Sequence, residues 1–198
     1  MHKNTFEFNK DSVLIIDSNY FLVTEPRDYI AHELFIGLEK FRQSNQDYFL
    51  HIPNTVIEEL KKKQSVPGTA NIGLRTRATR AIDTVNKLLT SGMAVKFNSD
   101  ITGVSNGFND GAMLVIVNDL RRKTNIDLLT NDRAFATDLI NLNNSKSVLT
   151  NKKVTPYYYN KRFACLSAWQ YDKENETAVY FANELKNKEK KNDKSNQV

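Results

Sequence analysis

A single cysteine, Cys165, leaves this 198-residue chain no means of building an internal disulfide framework, so its fold must rest on a buried core. The three histidines, His2, His32 and His51, are scattered, which argues against a zinc site. No apolar run is long enough to span a bilayer, and the opening MHKNTFEFNKD has a basic residue but no apolar signal core. The chain therefore reads as cytoplasmic, without a membrane partner. No internal repeat is visible.

What remains suffices for one domain with a full core and a small appendage. Apolar residues make up 40% and charged residues 26%, the balance of an ordinary globular protein. A net charge of +5 and a pI near 9.2 favour a polyanionic partner. Much of the positive charge sits in Lys61, Lys62 and Lys63, in Arg75, Arg77 and Arg80, in Arg121 to Lys123, and in the lysine-rich end from Lys186 to Lys194. That end has almost nothing to bury and is predicted to be disordered.

VLIID, residues 13–17, is a continuous apolar run that reads as a fully buried strand ending in Asp17. Ile30, Leu34, Leu38 and Phe41 at helical spacing predict an amphipathic helix. YFLHIP (48–53) reads as a strand, and NTVIEELKKK as a helix with Val56, Ile57 and Leu60 inward. VPGTANIG (66–73) is a loop before a long helix that keeps Leu74, Ala78, Ala81, Val85 and Leu88 on one face. AVKF (94–97) is a short strand, SNGFND (105–110) a loop and GAMLVIVNDLRRK (111–123) a buried helix. A strand at 126–130, a helix at 133–142 and a weak strand near 147–150 complete the series. Strands alternating with helices imply an α/β fold, with right-handed crossovers and a mostly parallel sheet covered on both faces. One domain is placed over 1–150, an extension packed on it over 151–185, and the lysine-rich tail over 186–198. In the extension, Trp169, Phe181 and Leu185 are expected to dock a last helix capped by Asp172.

Ligands of an open parallel sheet collect outside the carboxyl ends of its strands. Asp17 and Asp132 stand at two such ends, Asp110 opens a helix, and Glu59 lies a turn into the helix after the second strand. Taken singly, the three aspartates read more readily as helix N-caps. Thr55-Val56-Ile57-Glu58 has the form of a capping box, which would occupy Glu58 and leave Glu59 nearer the inward stripe. Should all four carboxylates meet, they could not all ionise without positive charge between them. A hard divalent cation, Mg²⁺ or Mn²⁺, supplies it through oxygen ligands, and such sites hydrolyse phosphodiesters.

The pieces VLIIDSNYFL, IPNTVIEELKKK, FNDGAMLVIV and IDLLTNDRAF resemble, in order and placement, the PIN-domain nucleases over roughly residues 12–150. The IPNTVIEEL stretch followed by RTRATRAIDTVNKLL is similar to the branch found beside PhoH-type ATPases and in RNA-surveillance nucleases. The resemblance implies a three-layer α/β/α sandwich and a Mg²⁺ or Mn²⁺ site of Asp17, Glu59, Asp110 and Asp132. It also implies cleavage of single-stranded or structured RNA. Asn19, Thr130 and Asn131 match positions that usually orient the acids; ordinary turn chemistry is the alternative. The chain departs from the family in being longer than its compact toxin members and in its unmatched extension.

Arg77 and Arg80 share one side of their helix, and with Lys61, Lys62 and Lys63 they would track RNA phosphates; a solvated helix face is the competing reading. VTPYYYNKRF interleaves Tyr157, Tyr158 and Tyr159 with Lys161 and Arg162, which suits base stacking beside phosphates, although core packing or a homodimer seam is the commoner use of such a cluster. A protein inhibitor would be a further partner if the chain acts as a toxin. Two other functions compete. A structure-specific DNA nuclease would want an arch or helix-hairpin-helix region that is not apparent, and an inactive RNA-binding or assembly module would have no need of four acids.

Overall fold

The computed structural model describes residues 6–23, 29–97, 109–144, 150–160 and 165–180. In chain order the elements are β1 (Ser12–Ile16), α1 (Ser18–Val23), α2 (Tyr29–Ser44), β2 (Leu50–Pro53), α3 (Asn54–Gln64), a 3-10 turn (Thr69–Asn71) and α4 (Ile72–Thr90). They continue through β3 (Ala94–Phe97), α5 (Asn109–Leu120), β4 (Asn125–Leu129), α6 (Arg133–Leu142), β5 (Val154–Asn160), β6 (Cys165–Ala168), β7 (Gln170–Asp172) and β8 (Thr177–Val179). Six strands form one sheet in the order β3-β2-β1-β4-β5-β6. Pairing is parallel from β3 to β5 and antiparallel between β5 and β6, and helices flank the sheet in a three-layer α/β/α sandwich. β7 and β8 make a separate hairpin.

The centre of the sheet follows from two apolar runs. Leu14, Ile15 and Ile16 of β1 and Ile126, Leu128 and Leu129 of β4 are buried to about the last per cent, as continuous apolar strands covered on both faces should be. Their register sets Ile16 opposite Leu129, so both strands stop at the same level. The helices close over them with the stripes expected from spacing: Leu34 and Leu38 of α2, Val56 and Leu60 of α3, and Ala78, Ala81, Val85 and Leu88 of α4. No helix among the described residues is long and apolar enough to cross a membrane.

Several expectations need correction. α3 starts at Asn54 with Pro53 as its N-cap and no side-chain cap bond, so Thr55 is already inside the first turn. The capping box does not form: the Thr55 hydroxyl is buried without a hydrogen-bond partner among the described residues, and Glu58 pairs with Lys61 instead. α5 begins at Asn109, taking in two residues assigned to the preceding loop. Asp172 caps no helix. Its carboxylate accepts the N–H groups of Glu174 and Asn175 and closes the β7-β8 turn. The weak strand near 147–150, Phe181, Leu185 and the tail lie wholly or largely outside the described residues.

The stretch VTPYYYN is β5, hydrogen-bonded into the sheet beside β4. Pro156 hides it from a sequence reading, because a proline inside a run argues against a central strand. It is accommodated because β6 pairs only with Tyr157 to Asn160, and the Pro156 carbonyl accepts the Trp169 N–H just beyond. Tyr158 is buried, whereas Tyr157 and Tyr159 pack half-buried against the main core. The tyrosines are packing residues.

Asp127 is a charged group inside this core, 7% exposed on β4, with the Ser12 hydroxyl as its hydrogen-bond partner. Burial pushes its carboxyl up to about 6. The folded chain therefore holds this proton more tightly than the unfolded one, whose Asp titrates near ~3.9. The resulting stability is full below the unfolded value and is lost as pH rises through about 6. Asp127→Asn should remove that dependence: in urea unfolding, the stability of the variant relative to wild type should rise by about 2 kcal/mol between pH 4 and pH 8. A difference that did not change with pH would contradict the buried carboxylate.

Candidate active site

The strand order reverses between β1 and β4, with β2 and β3 laid down on one side and β5 and β6 on the other. Loops leaving two adjacent strands in opposite directions open a crevice at such a switch point. Asp17 is the first residue after β1, and its backbone N–H donates to the Leu129 carbonyl at 2.9 Å. Thr130, Asn131 and Asp132 leave β4 at the same level.

One hydroxyl joins the two loops. The Thr130 Oγ1 donates to Asp17 Oδ2 at 2.9 Å and accepts the Asp132 N–H at 3.0 Å. Thr130 is fully buried, its N–H donates to the Tyr157 carbonyl, and its own carbonyl accepts the Trp169 indole N–H at 3.0 Å. The other Asp17 oxygen takes the Ser18 N–H at 2.6 Å. Asp132 is the N-cap of α6, where Oδ1 accepts the Phe135 N–H at 3.0 Å, while Oδ2 accepts the Asn19 side-chain amide at 3.5 Å. Capping and a place in the crevice thus coexist in Asp132, since the cap bond fixes one oxygen. Asn131 serves the sheet: its Oδ1 accepts the Tyr159 N–H at 3.0 Å.

Glu59 arrives from α3. It is half-buried where Glu58 is exposed, as the helix period predicts. The buried Ser18 hydroxyl donates to its Oε2 at 2.7 Å, and Lys63, one turn on, pairs with Oε1 at 2.5 Å. Asp110, in the first turn of α5, is exposed. Electrostatics tie the set together. Burial, then the charges of Glu59 and Asp110, push the Asp17 carboxyl up to about 6 against the Thr130 and Ser18 hydrogen bonds. Asp110, although its surface is largely open, is raised by partial desolvation and by the charges of Asp132, Glu59 and Asp138, with Lys63 opposing.

The acids are therefore not independent caps: the charges of Glu59 and Asp110 act on Asp17, and those of Asp132 and Glu59 on Asp110. Carboxylate oxygens are the donor set of a hard divalent ion, and mutual repulsion is the condition that such an ion relieves. Among the described residues, however, no three His, Cys, Asp or Glu side chains are drawn close enough to hold an ion as they stand. Glu59 is held by Ser18 and Lys63 instead.

Of the basic residues, Arg77 and Arg80 are exposed on α4, as are Lys61 and Lys62 on α3. Lys61 pairs with Glu58, and Lys63 faces the acids, not open solvent. Lys161 and Arg162 lie outside the described residues. Sequence reasoning passed over Ser18 and Asp138, and assigned Lys63 to RNA phosphates where the structure pairs it with Glu59. The i,i+4 spacing of Glu59 and Lys63 was a usable signal; the spacing of Asp132 and Asp138 matches no helical repeat.

Thr130→Val keeps shape but removes the bridging hydroxyl, which deprives Asp17 of a donor and leaves the Asp132 N–H without its acceptor. Loss of a bond to a charged group together with an unsatisfied N–H should cost about 2–4 kcal/mol in urea unfolding at pH 7, with Thr130→Ser close to wild type. A Val variant within 0.5 kcal/mol of wild type, roughly the scatter of neutral surface changes, would deny the bridge its role.

Among curated proteins none matches the chain. Among solved structures, the chain is similar to a domain of a functionally unknown protein from Methanocaldococcus jannaschii DSM 2661, at 17% identity and a TM-score of 0.41, covering 72% of this chain and 89% of that one. A likeness this low bears on neither fold nor function. The family model described as PIN domain matches residues 14–138. That span runs from β1 into α6 and holds all four acids, and the chain belongs to the PIN-domain family, whose members are generally nucleases.

Proposed function

We propose that this protein is a metal-dependent endoribonuclease that hydrolyses phosphodiester bonds of single-stranded or structured RNA. The observation that carries the reading is the coupling of Asp17, Glu59, Asp110 and Asp132 at the β1/β4 switch point, with Thr130 bridging two of their loops. PIN domains usually use divalent metal ions, and Mg²⁺ or Mn²⁺ suits an all-carboxylate donor set. When bound, such an ion supplies Lewis acidity, making water a better nucleophile and neutralising phosphate charge.

The chain's own residues do the positioning. Thr130 and the Ser18 N–H hold the Asp17 carboxylate from both sides. Ser18 through its hydroxyl directs Glu59, and Asn19 directs the free oxygen of Asp132. Consecutive residues of α1 thus aim acids brought by two other elements. Lys63 provides positive charge beside Glu59 and Asp110. Arg77, Arg80, Lys61 and Lys62, exposed on α4 and α3, would follow the phosphates of a bound strand, a contact expected to weaken with added salt.

Purified protein should cut labelled single-stranded RNA in Mn²⁺ or Mg²⁺ and stop in EDTA. Asp17→Asn should lower the rate at least a hundredfold with an unchanged circular dichroism spectrum. Cleavage at the wild-type rate by Asp17→Asn would sink the site assignment. Metal-independent RNA retention without cleavage of any substrate would favour the binding module, and preferential cutting of branched DNA the DNA nuclease. Binding of the ion is measured separately. Mn²⁺ at a hundred times its Kd should stabilise the wild type by about 2.7 kcal/mol in thermal unfolding, and should stabilise Asp17→Asn far less.

A further inference from the structure

The aromatic side chains beside the acids are not all used for packing. Trp169 follows β6, is 5% exposed, and spends its indole N–H on the carbonyl of Thr130, the residue that bridges Asp17 and Asp132. Tyr158 of β5 meets the Trp169 ring with centroids 5.0 Å apart and is itself buried. Tyr180 lies over the same indole, with centroids 4.4 Å apart and planes tilted by 34°, and it takes an edge contact from Tyr158 at 4.7 Å. Yet Tyr180 is 38% exposed. The ring is thus covered in part by Trp169 and Tyr158 and open to solvent in part.

Its mounting is firm. Just before it, the Ala178 N–H donates to Thr137 Oγ1 at 2.8 Å and the Ala178 carbonyl accepts Arg133 Nε at 2.7 Å, which clamps the β7-β8 hairpin to the first turns of α6. Arg133 is the residue after Asp132 and is exposed, and its bond to the Ala178 carbonyl ties this cation to the strand that leads into Tyr180. The charges of both Arg133 and Asp132 act on the Tyr180 hydroxyl.

We propose that Tyr180, backed by Trp169, is a stacking platform for one unpaired base of the RNA strand, with Arg133 on an adjoining phosphate. The proposal rests on the nuclease reading and gives that site a base-binding position. An aromatic face accepts any base, so it contributes affinity and strand placement without choosing sequence. Cation and ring together match the alternation of phosphate and base along a single strand. The ring lies beyond residue 138, outside the region matched to the PIN domain.

The test uses full-length Asp17→Asn protein, which should retain RNA without cutting it, and a short single-stranded RNA carrying an abasic nucleotide at each position in turn. Tyr180→Ala should weaken binding about tenfold, equal to about 1.4 kcal/mol, while Tyr180→Phe and Tyr180→Trp stay near the parent. At one position the abasic substitution should cost the parent the same factor and cost Tyr180→Ala nothing more. Tyr180→Leu, which still covers Trp169, should behave as Tyr180→Ala does and separates stacking from folding. Tyr180→Ala and Tyr180→Leu binding like the parent, or abasic and protein changes that simply add at every position, would overturn the platform while cleavage by the wild type left the nuclease reading standing. If Asp17→Asn retains no RNA and the wild type cuts none, both fall together.

Discussion

A single hydroxyl group, that of Thr130, decides how the carboxyl edge of this sheet is built. It can donate once and accept twice, and it does both, toward Asp17 after β1 and from the Asp132 backbone after β4. Serine could offer the same polar atom. Threonine also brings a methyl group to a residue that is wholly buried at the end of a strand. The loop geometry therefore follows from β1/β4 register: because Ile16 stands opposite Leu129, Asp17 and Thr130 come off the sheet as neighbours. Chain separation is irrelevant to that contact, which joins residues 113 apart.

The acids at this edge bear on one another through their charges. Asp17 lies in the β1/β4 crevice where burial and two neighbouring carboxylates oppose its ionisation, and its carboxyl is pushed up to about 6. The two lysine pairs on α3 show what the surroundings change. Lys61 and Glu58 are 57% and 62% exposed, a pair of the kind that contributes almost nothing to stability. Lys63 and Glu59 are 27% and 19% exposed, less screened by water, and Lys63 also acts on Asp110. Burial makes Lys63 part of the charge balance of the crevice and leaves Lys61 a surface residue, although the two are a half-turn apart on one helix.

The parts of the fold readable in the sequence are those whose signal is local. β1 is an apolar run and β4 one broken only by Asp127, and β3 and α6 have the bounds read for them, α6 because Asp132 caps it. Glu59 was separable from Glu58 because the helix period is a local rule, and the placement of Asp17 and Asp132 at strand ends came from the same kind of evidence. What failed was local evidence with a tertiary answer. Thr55 and Glu58 have the spacing of a capping box, but β2 carries extended backbone through Pro53, and the helix starts before Thr55 can cap it. β5 contains a proline whose acceptability depends on where β6 ends. Ser18 points its hydroxyl at a residue 41 positions away, and nothing in DSN indicates that partner.

The same distinction bears on what supports the site. The region matched to the PIN domain ends at residue 138. Three of the bonds that hold the β4 loop come from beyond it: the Tyr157 carbonyl to the Thr130 N–H, the Tyr159 N–H to Asn131, and the Trp169 indole to the Thr130 carbonyl. Without β5, β4 would be an edge strand whose unpaired groups face water, and the Thr130 carbonyl would lose its donor inside the core. The segment after residue 150 thus positions Thr130, Thr130 positions Asp17, and the geometry of the acidic group depends on residues that carry no acid themselves.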